Sequence, residues 1–434
     1  MIGRLMRWLD ASTCNFMAVK TICGELDKAG FTRLDVRDSW QIEPGGKYYV
    51  VKNDSAVFAF VVGMQSPAES GFRIISSHSD SPCLKIKPNA EIYGEGGVVS
   101  LNVEKYGGGI LYTWFDRPLS ISGRVMTKGD DALNPRTLMV DLQCPVCTIP
   151  HLAIHFNREV NEGNKLSVQK DMKPVIGCFS DEEIAAFKAR GGVVKSLVAE
   201  RLGIAPEDII DYELCLYPVA PAVLTGAGKE FLQSGRIDDL SMAFASLEAL
   251  LAECGNESES TRVMAVFDNE ETGSGTKQGA HSPVLREILE RVCRKLTPED
   301  PEAFFRAVAS SFMISADDAH AWNPNYNEKY DPTNHPHIGH GPAVKINANC
   351  KYMTDADGAA VFRALCDEAG VNCQYFVNHS DVAGGSTLGN ILTGQLDLRG
   401  VDMGAPIWAM HSAVETASVR DHIDTVAVFR KFFS

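Results

Sequence analysis

The chain has 434 residues, 45% hydrophobic and 22% charged, which describes an ordinary globular protein and excludes a disordered or membrane-spanning one. With 41 basic against 56 acidic side chains and a net charge of −15, nucleic acid and anionic membranes are excluded as main partners. The 12 cysteines lack the dense spacing of a secreted disulfide scaffold, and the N-terminus shows no signal-peptide pattern, so a cytoplasmic location is expected.

Residues 8–30 carry Leu9, Phe16, Val19, Ile22 and Leu26 at helical spacing, which predicts one helix. Short strands follow at 48–51, 56–62 and 72–76, the third running into Ser77-His78-Ser79-Asp80. From about Glu91 glycines crowd in, then come β-like runs at 119–125 and 138–142, a helical stretch at 181–202 and a strand at 211–216. This reads as a β-rich domain at 91–225, inserted into an α/β catalytic domain made of 1–90 and 226–434. Alternation then returns, with helices at 239–252, 284–296, 358–369 and 425–432 and strands at 263–267, 312–315, 374–377 and 401–403. A mixed, mostly parallel sheet flanked by helices places functional groups at the carboxyl ends of its strands.

The polar residues at those ends form a pattern. The apolar run Val263 to Phe267 stops at Asp268-Asn269-Glu270-Glu271, and Gly273 and Gly275 then break the chain. Adjacent carboxylates at the mouth of a core strand repel each other and lose hydration, so a cation is expected to compensate them. The other strand-end residues are His78 with Asp80, Asp238, Asp317 and His411. Imidazoles and carboxylates suit zinc, and carboxylates also accept manganese or cobalt. A metal pair needs one bridging carboxylate, with about 3.5–4 Å between the ions. One bridging aspartate, two histidines and two further carboxylates supply that set and leave one glutamate as a base. Taken singly, each has a plainer explanation: Asp238 as a helix cap, Asp317 in a turn, either histidine as a core residue. Spacing alone leaves both readings open. Cys144 and Cys147 have no second pair to complete a zinc site, and Gly107-Gly108-Gly109 lacks a phosphate-loop lysine. His335-Pro-His337-Ile-Gly-His340 is metal-like in composition, but its prolines and glycine make it a loop with no expected ligand role.

The segments HSDSPCLKIKP (78–88), YGGGILYTWFDRPL (106–119), IPHLAIHFNREVNEG (149–163), GRIDDL (235–240), DNEETGSGTKQGA (268–280), SFMISADDAHAWNPNY (311–326), GPAVKIN (341–347) and MGAPIWAMHS (403–412) resemble the aspartyl aminopeptidase family of co-catalytic dizinc exopeptidases, in its bacterial branch. The resemblance implies two Zn2+ per subunit, with Co2+ or Mn2+ as substitutes. His78 and Asp317 would hold one ion, Glu271 and His411 the other, and Asp238 would bridge them. Glu270 would be the general base, and Asp80 would orient the His78 imidazole. Lys345 would face the acidic side chain of an N-terminal Asp or Glu, and Tyr352 would lie near the reaction centre. His155 would enter the active site of a neighbouring subunit. The inserted domain would make dimers, which in the family build tetrahedral dodecamers. Leucine-like specificity is the alternative within this chemistry. A catalytically silent shell is the alternative of another class, against which every ligand position and Glu270 stand intact. Asp239 departs from an expected asparagine, and Asp318 from an expected apolar residue.

Overall fold

The computed structural model describes residues 1–434, which divide into two units: 1–80 with 222–410 and 415–434, and 81–221 with 411–414. The division at Asp80 precedes the boundary expected near residue 91. The reason is that Cys83–Tyr93 is one strand, paired with Val98–Tyr106 and with Ile209–Pro218.

The first unit is built on a nine-stranded sheet. Its order is Thr32–Arg33, Lys47–Lys52, Ala56–Val61, Thr261–Phe267, Phe72–His78, Phe312–Ala316, Arg399–Gly404, Ala343–Ile346 and Gln374–Val377. The four central strands, from Thr261–Phe267 to Arg399–Gly404, run parallel. Thr261–Phe267 is buried at every position, as expected of a strand covered on both faces. One face packs Leu5, Leu9, Ile22, Leu247 and Phe429 from flanking helices, and the other packs Leu285, Ile288, Leu289 and Phe304. A smaller five-stranded sheet in the same unit ends on Pro406–Trp408 and Ala319–His320. No helix is long and apolar enough to cross a membrane.

The second unit is a six-stranded antiparallel sheet with the helices Asp181–Ala189 and Val193–Leu202.

Three expected helices are corrected. Residues 8–30 form two helices, Ile2–Ala11 and Asn15–Lys28, interrupted where Ser12 and Thr13 are buried. The stretch 181–202 is also two helices, because Gly191 and Gly192 take φ of +83° and +111° between them. The last helix starts at Val419 rather than 425, capped by the Ser418 hydroxyl, which accepts the N–H groups of Arg420 and Asp421.

Candidate metal centre

Strand register brings the expected side chains together. His78 is the last residue of its strand and pairs with Phe267, so the turn carrying Glu270 and Glu271 lies beside it. The next parallel strand pairs Ser315 with Ser76, which puts Asp317 at the same end of the sheet. Helix Ile237–Glu253 supplies Asp238 and Asp239 from its first turn, where the backbone at both residues is not helical.

Asp80 organises this end of the sheet. Its carboxylate accepts the backbone N–H of Glu270 at 3.1 Å and of Glu271 at 3.2 Å, fixing the turn. Its backbone oxygen lies 3.0 Å from Nδ1 of His78. A carbonyl only accepts, so Nδ1 carries a proton and Nε2 is the nitrogen that faces the site. Nε2 is 3.5 Å from Oδ1 of Asp238 and 4.0 Å from Oδ2 of Asp239. Asp239 Oδ2 also accepts the backbone N–H of His78 at 3.0 Å, while the Asp238 N–H donates to Oε2 of Glu415 at 3.1 Å.

The electrostatics are severe. His78, Asp238, Asp239 and Asp318 are each at most 3% exposed. Burial pushes the Asp239 and Asp318 carboxyls well up, and neighbouring carboxylates add to it. Glu270 is pushed up to about 8, by burial first and then by Asp317, Asp80 and Asp238 against the pull of His78. Burial disfavours a charged His78, but Asp239, Asp238 and Asp80 outweigh it and hold the imidazole up. Asp268, behind the turn, is pushed up to about 6 by burial and by Asp80.

On the Asp317 side lies Lys345, whose Nζ is 3.3 Å from Asp317 Oδ2 and 5.9 Å from the centre of the Tyr352 ring. Lys345 is only 4% exposed, yet Asp317, Tyr352, Asp402 and Asp238 keep its ammonium charged against the cost of burial.

One lysine does not balance this many carboxylates, and the donor set fits cations. His78, Asp238, Asp239 and Asp317 each offer a ligand atom, all within 4.8 Å of one another, as do His78, Glu270 and Glu271. Oδ1 of Asp239 and Oδ1 of Asp318 are buried with no hydrogen-bond partner, the condition a metal or its neighbouring charge relieves. Nitrogen and oxygen donors of this kind are those of zinc peptidase sites.

Sequence-family comparison matches residues 8–433 to the aminopeptidase I zinc metalloprotease (M18) family. The chain belongs to the M18 family. It is therefore a zinc aminopeptidase, a hydrolase of the exopeptidase type. A relative named probable M18 family aminopeptidase 2, from Clostridium novyi (strain NT), is 46% identical over 432 residues, covering 100% of this chain and 98% of its own. The M18 aminopeptidase of Thermotoga maritima superposes with a TM-score of 0.86 at 27% identity, over 100% of this chain and 95% of that one. The S. cerevesiae mApe1 dodecamer gives 0.86 at 28% identity, over 99% of this chain and 95% of that one.

Two expected M18 site residues lie in the second unit. His411 opens its short segment 411–414, with Nδ1 3.3 Å from the Gly108 carbonyl and its backbone oxygen accepting the Ile110 N–H. His155 sits in an exposed turn between exposed Ile154 and Phe156. Sequence reading missed the supporting carboxylates Glu415 and Asp402. Glu415 lies in an ordinary strand pattern, and no spacing announced it. Asp402 accepts the Met353 N–H and the Thr387 hydroxyl, and it interrupts an apolar strand, which was a usable signal.

Proposed function

We propose that this M18 aminopeptidase removes N-terminal aspartate and glutamate from peptides with two metal ions, zinc in the first place. On this reading His78 and Asp317 hold one ion, Glu271 and His411 the other, and Asp238 joins them. Bound there, the metals would supply Lewis acidity for the scissile carbonyl and an easily deprotonated water. Glu270 takes the proton of the attacking water and returns it to the departing amine. A carboxyl held at about 8 by its surroundings releases a proton as readily as it takes one near neutral pH, and metal binding would lower that value somewhat. Asp80 keeps Glu270 and Glu271 in place through their backbone N–H groups and keeps His78 in the ligating tautomer.

The observation that carries the acidic specificity is Lys345, a buried ammonium that stays charged 3.3 Å from Asp317. A substrate carboxylate would satisfy it, with the Tyr352 ring beside it. Assembly is part of the proposal. A homo-oligomer, built as dimers through the inserted domain and up to a dodecamer, suits the exposed Leu152, Ile154 and Phe156 around His155. This loop would carry His155 to a neighbouring subunit's substrate. Cytoplasmic residence fits a fold in which none of the 12 cysteines is paired in a disulfide.

Hydrolysis of Asp-, Glu- and Leu-anilides by metal-replete enzyme tests the specificity. Faster turnover of Asp and Glu supports it, and faster Leu discards the Lys345 pocket while leaving the metal chemistry. Lys345→Met should lower the Glu-to-Leu ratio of kcat/KM by about 10- to 150-fold, the loss of roughly 1.5–3 kcal/mol from a charged hydrogen bond.

A further inference from the structure

Asp402 is a fully buried carboxylate in the middle of the strand Arg399–Gly404, between the apolar Val401 and Met403. Burying a carboxylate is costly unless its oxygens are bonded, and here both are. Oδ2 accepts the Met353 N–H at 2.5 Å, and Oδ1 accepts the Thr387 hydroxyl at 2.6 Å. The Asp402 backbone N–H adds a bond to the same segment, donating to Oγ1 of Thr354 at 2.8 Å. Met353 and Thr354 are thus held by the side chain and the main chain of one residue. The helix Leu388–Leu392 closes over the carboxylate so tightly that a methyl group added at Gly389 would stand 2.5 Å from Oδ2.

What this clamp holds leads to the Lys345 subsite. Residues 347–351 form an irregular, mostly exposed turn, and Tyr352 follows it as a buried ring. With neither strand nor helix around it, Tyr352 takes its place from the anchored residues that come next. Its ring packs with Phe376, Ala319 and Ala343, and its centre lies 5.9 Å from Nζ of Lys345. Asp402 is also close to the strand that carries the lysine. Val344 pairs with Met403 in an antiparallel ladder, so Lys345 and Asp402, the next residue along each strand, come level with each other. The Asp402 charge accordingly acts on the Lys345 ammonium. Asp402 therefore joins the parts of the subsite: it stands beside the strand of Lys345 and grips the segment that carries Tyr352. A site that discriminates between side chains needs such support behind the groups that touch substrate.

We propose that Asp402 is a positioning residue for the recognition of acidic N-terminal side chains, fixing the Tyr352 ring beside Lys345 through its hold on the Met353 N–H. This role rests on the assignment of Lys345 and Tyr352 to the substrate side chain. Asp402 does not touch the peptide; it acts through Tyr352. Its isosteric amide can do the same, because the amide oxygen accepts the Met353 N–H while the amide nitrogen donates to the Thr387 hydroxyl oxygen.

Hydrolysis of Glu- and Leu-anilides and bound zinc are measured for full-length, metal-replete wild type, Asp402→Asn, Asp402→Ala, Lys345→Met and the double variant Lys345→Met/Asp402→Ala. Asp402→Ala should lower the Glu-to-Leu ratio of kcat/KM by about 5- to 10-fold, mainly through KM, with zinc content at the wild-type level. Asp402→Asn should hold the ratio within about twofold of wild type, and the double variant should match Lys345→Met alone. An unchanged ratio in Asp402→Ala, an equally low ratio in Asp402→Asn, or losses that multiply in the double variant overturn the proposal, since a merely structural residue adds its cost independently of Lys345. Should Asp402→Ala fail to fold, Thr387→Val takes its place: it frees one carboxylate oxygen and should lower the ratio by about 2- to 5-fold, and an unchanged ratio overturns the proposal. A normal ratio in Lys345→Met would remove the acidic specificity and this role with it, whereas a low ratio there with no effect at Asp402 removes the role of Asp402 alone.

Discussion

The carboxylate centre and the histidine loop hold ligand-type side chains in opposite ways. At the carboxyl end of the parallel strands, Asp238, Asp239, Asp317 and Asp318 are buried and crowded by like charge, with Lys345 paired to Asp317 and the buried His78 imidazole beside Asp238 and Asp239. In the loop of His335, His337 and His340, three imidazoles stand on a backbone pinned by hydrogen bonds, with His337 and His340 exposed. The first arrangement is costly without a cation, because buried carboxylates repel one another in a medium that screens them poorly. The second is stable as it stands, its backbone held by hydrogen bonds. An enzyme that must hold its metals through turnover is served by the first kind.

Several substitutions sharpen that contrast. Glu270→Gln should cut kcat by roughly 10²- to 10⁴-fold while metal content by mass spectrometry stays at the wild-type level. Unchanged turnover would remove Glu270 from the proton-transfer role. Chelation should destabilise the protein through the centre: a ligand held at a thousand times its Kd contributes about 4 kcal/mol, read as a lower melting temperature that returned zinc restores. A control lies outside both regions. His422 is buried against Phe244, both ring nitrogens lack partners, and burial pushes it down to about 4. Its stabilising contribution is full above the unfolded pKa of about 6.5 and is lost as pH falls through 4. His422→Leu should remove roughly 3 kcal/mol of the acid-side loss of unfolding free energy, measured as the difference from wild type between pH 7 and pH 4. A parallel pH profile in both proteins would count against the buried neutral imidazole. Asp239→Asn should have the smallest effect: it keeps the bond to the His78 N–H through its amide oxygen but removes a charge, weakening zinc retention against a competing chelator.

The carboxylate cluster was legible in the sequence because its residues break a rule. An apolar strand that stops at Asp-Asn-Glu-Glu, or at His78 with Asp80, sets charge where burial is expected, and strand polarity gathers such ends on one edge. Their mutual geometry was not legible, since it depends on register: His78 meets Phe267 and Ser76 meets Ser315 only once the strands pair. Glu415 was invisible for the same reason. The helix break at Ser12 was hidden because apolar spacing continues across it, and the strand Cys83–Tyr93 was hidden by the register shift between Ile86 and Glu91. The histidine segment reads from its composition as a loop without a ligand role, and the anchors that fix its backbone, Gln374, Asp421 and Asn372, come from far along the chain.

The most direct test of the buried centre is zinc titration of metal-stripped enzyme, with bound metal and peptide hydrolysis measured on the same samples. Hydrolysis should be absent without metal and should rise with the zinc bound, reaching its plateau when the centre is filled. Full hydrolysis in protein verified to be free of metal would contradict the account.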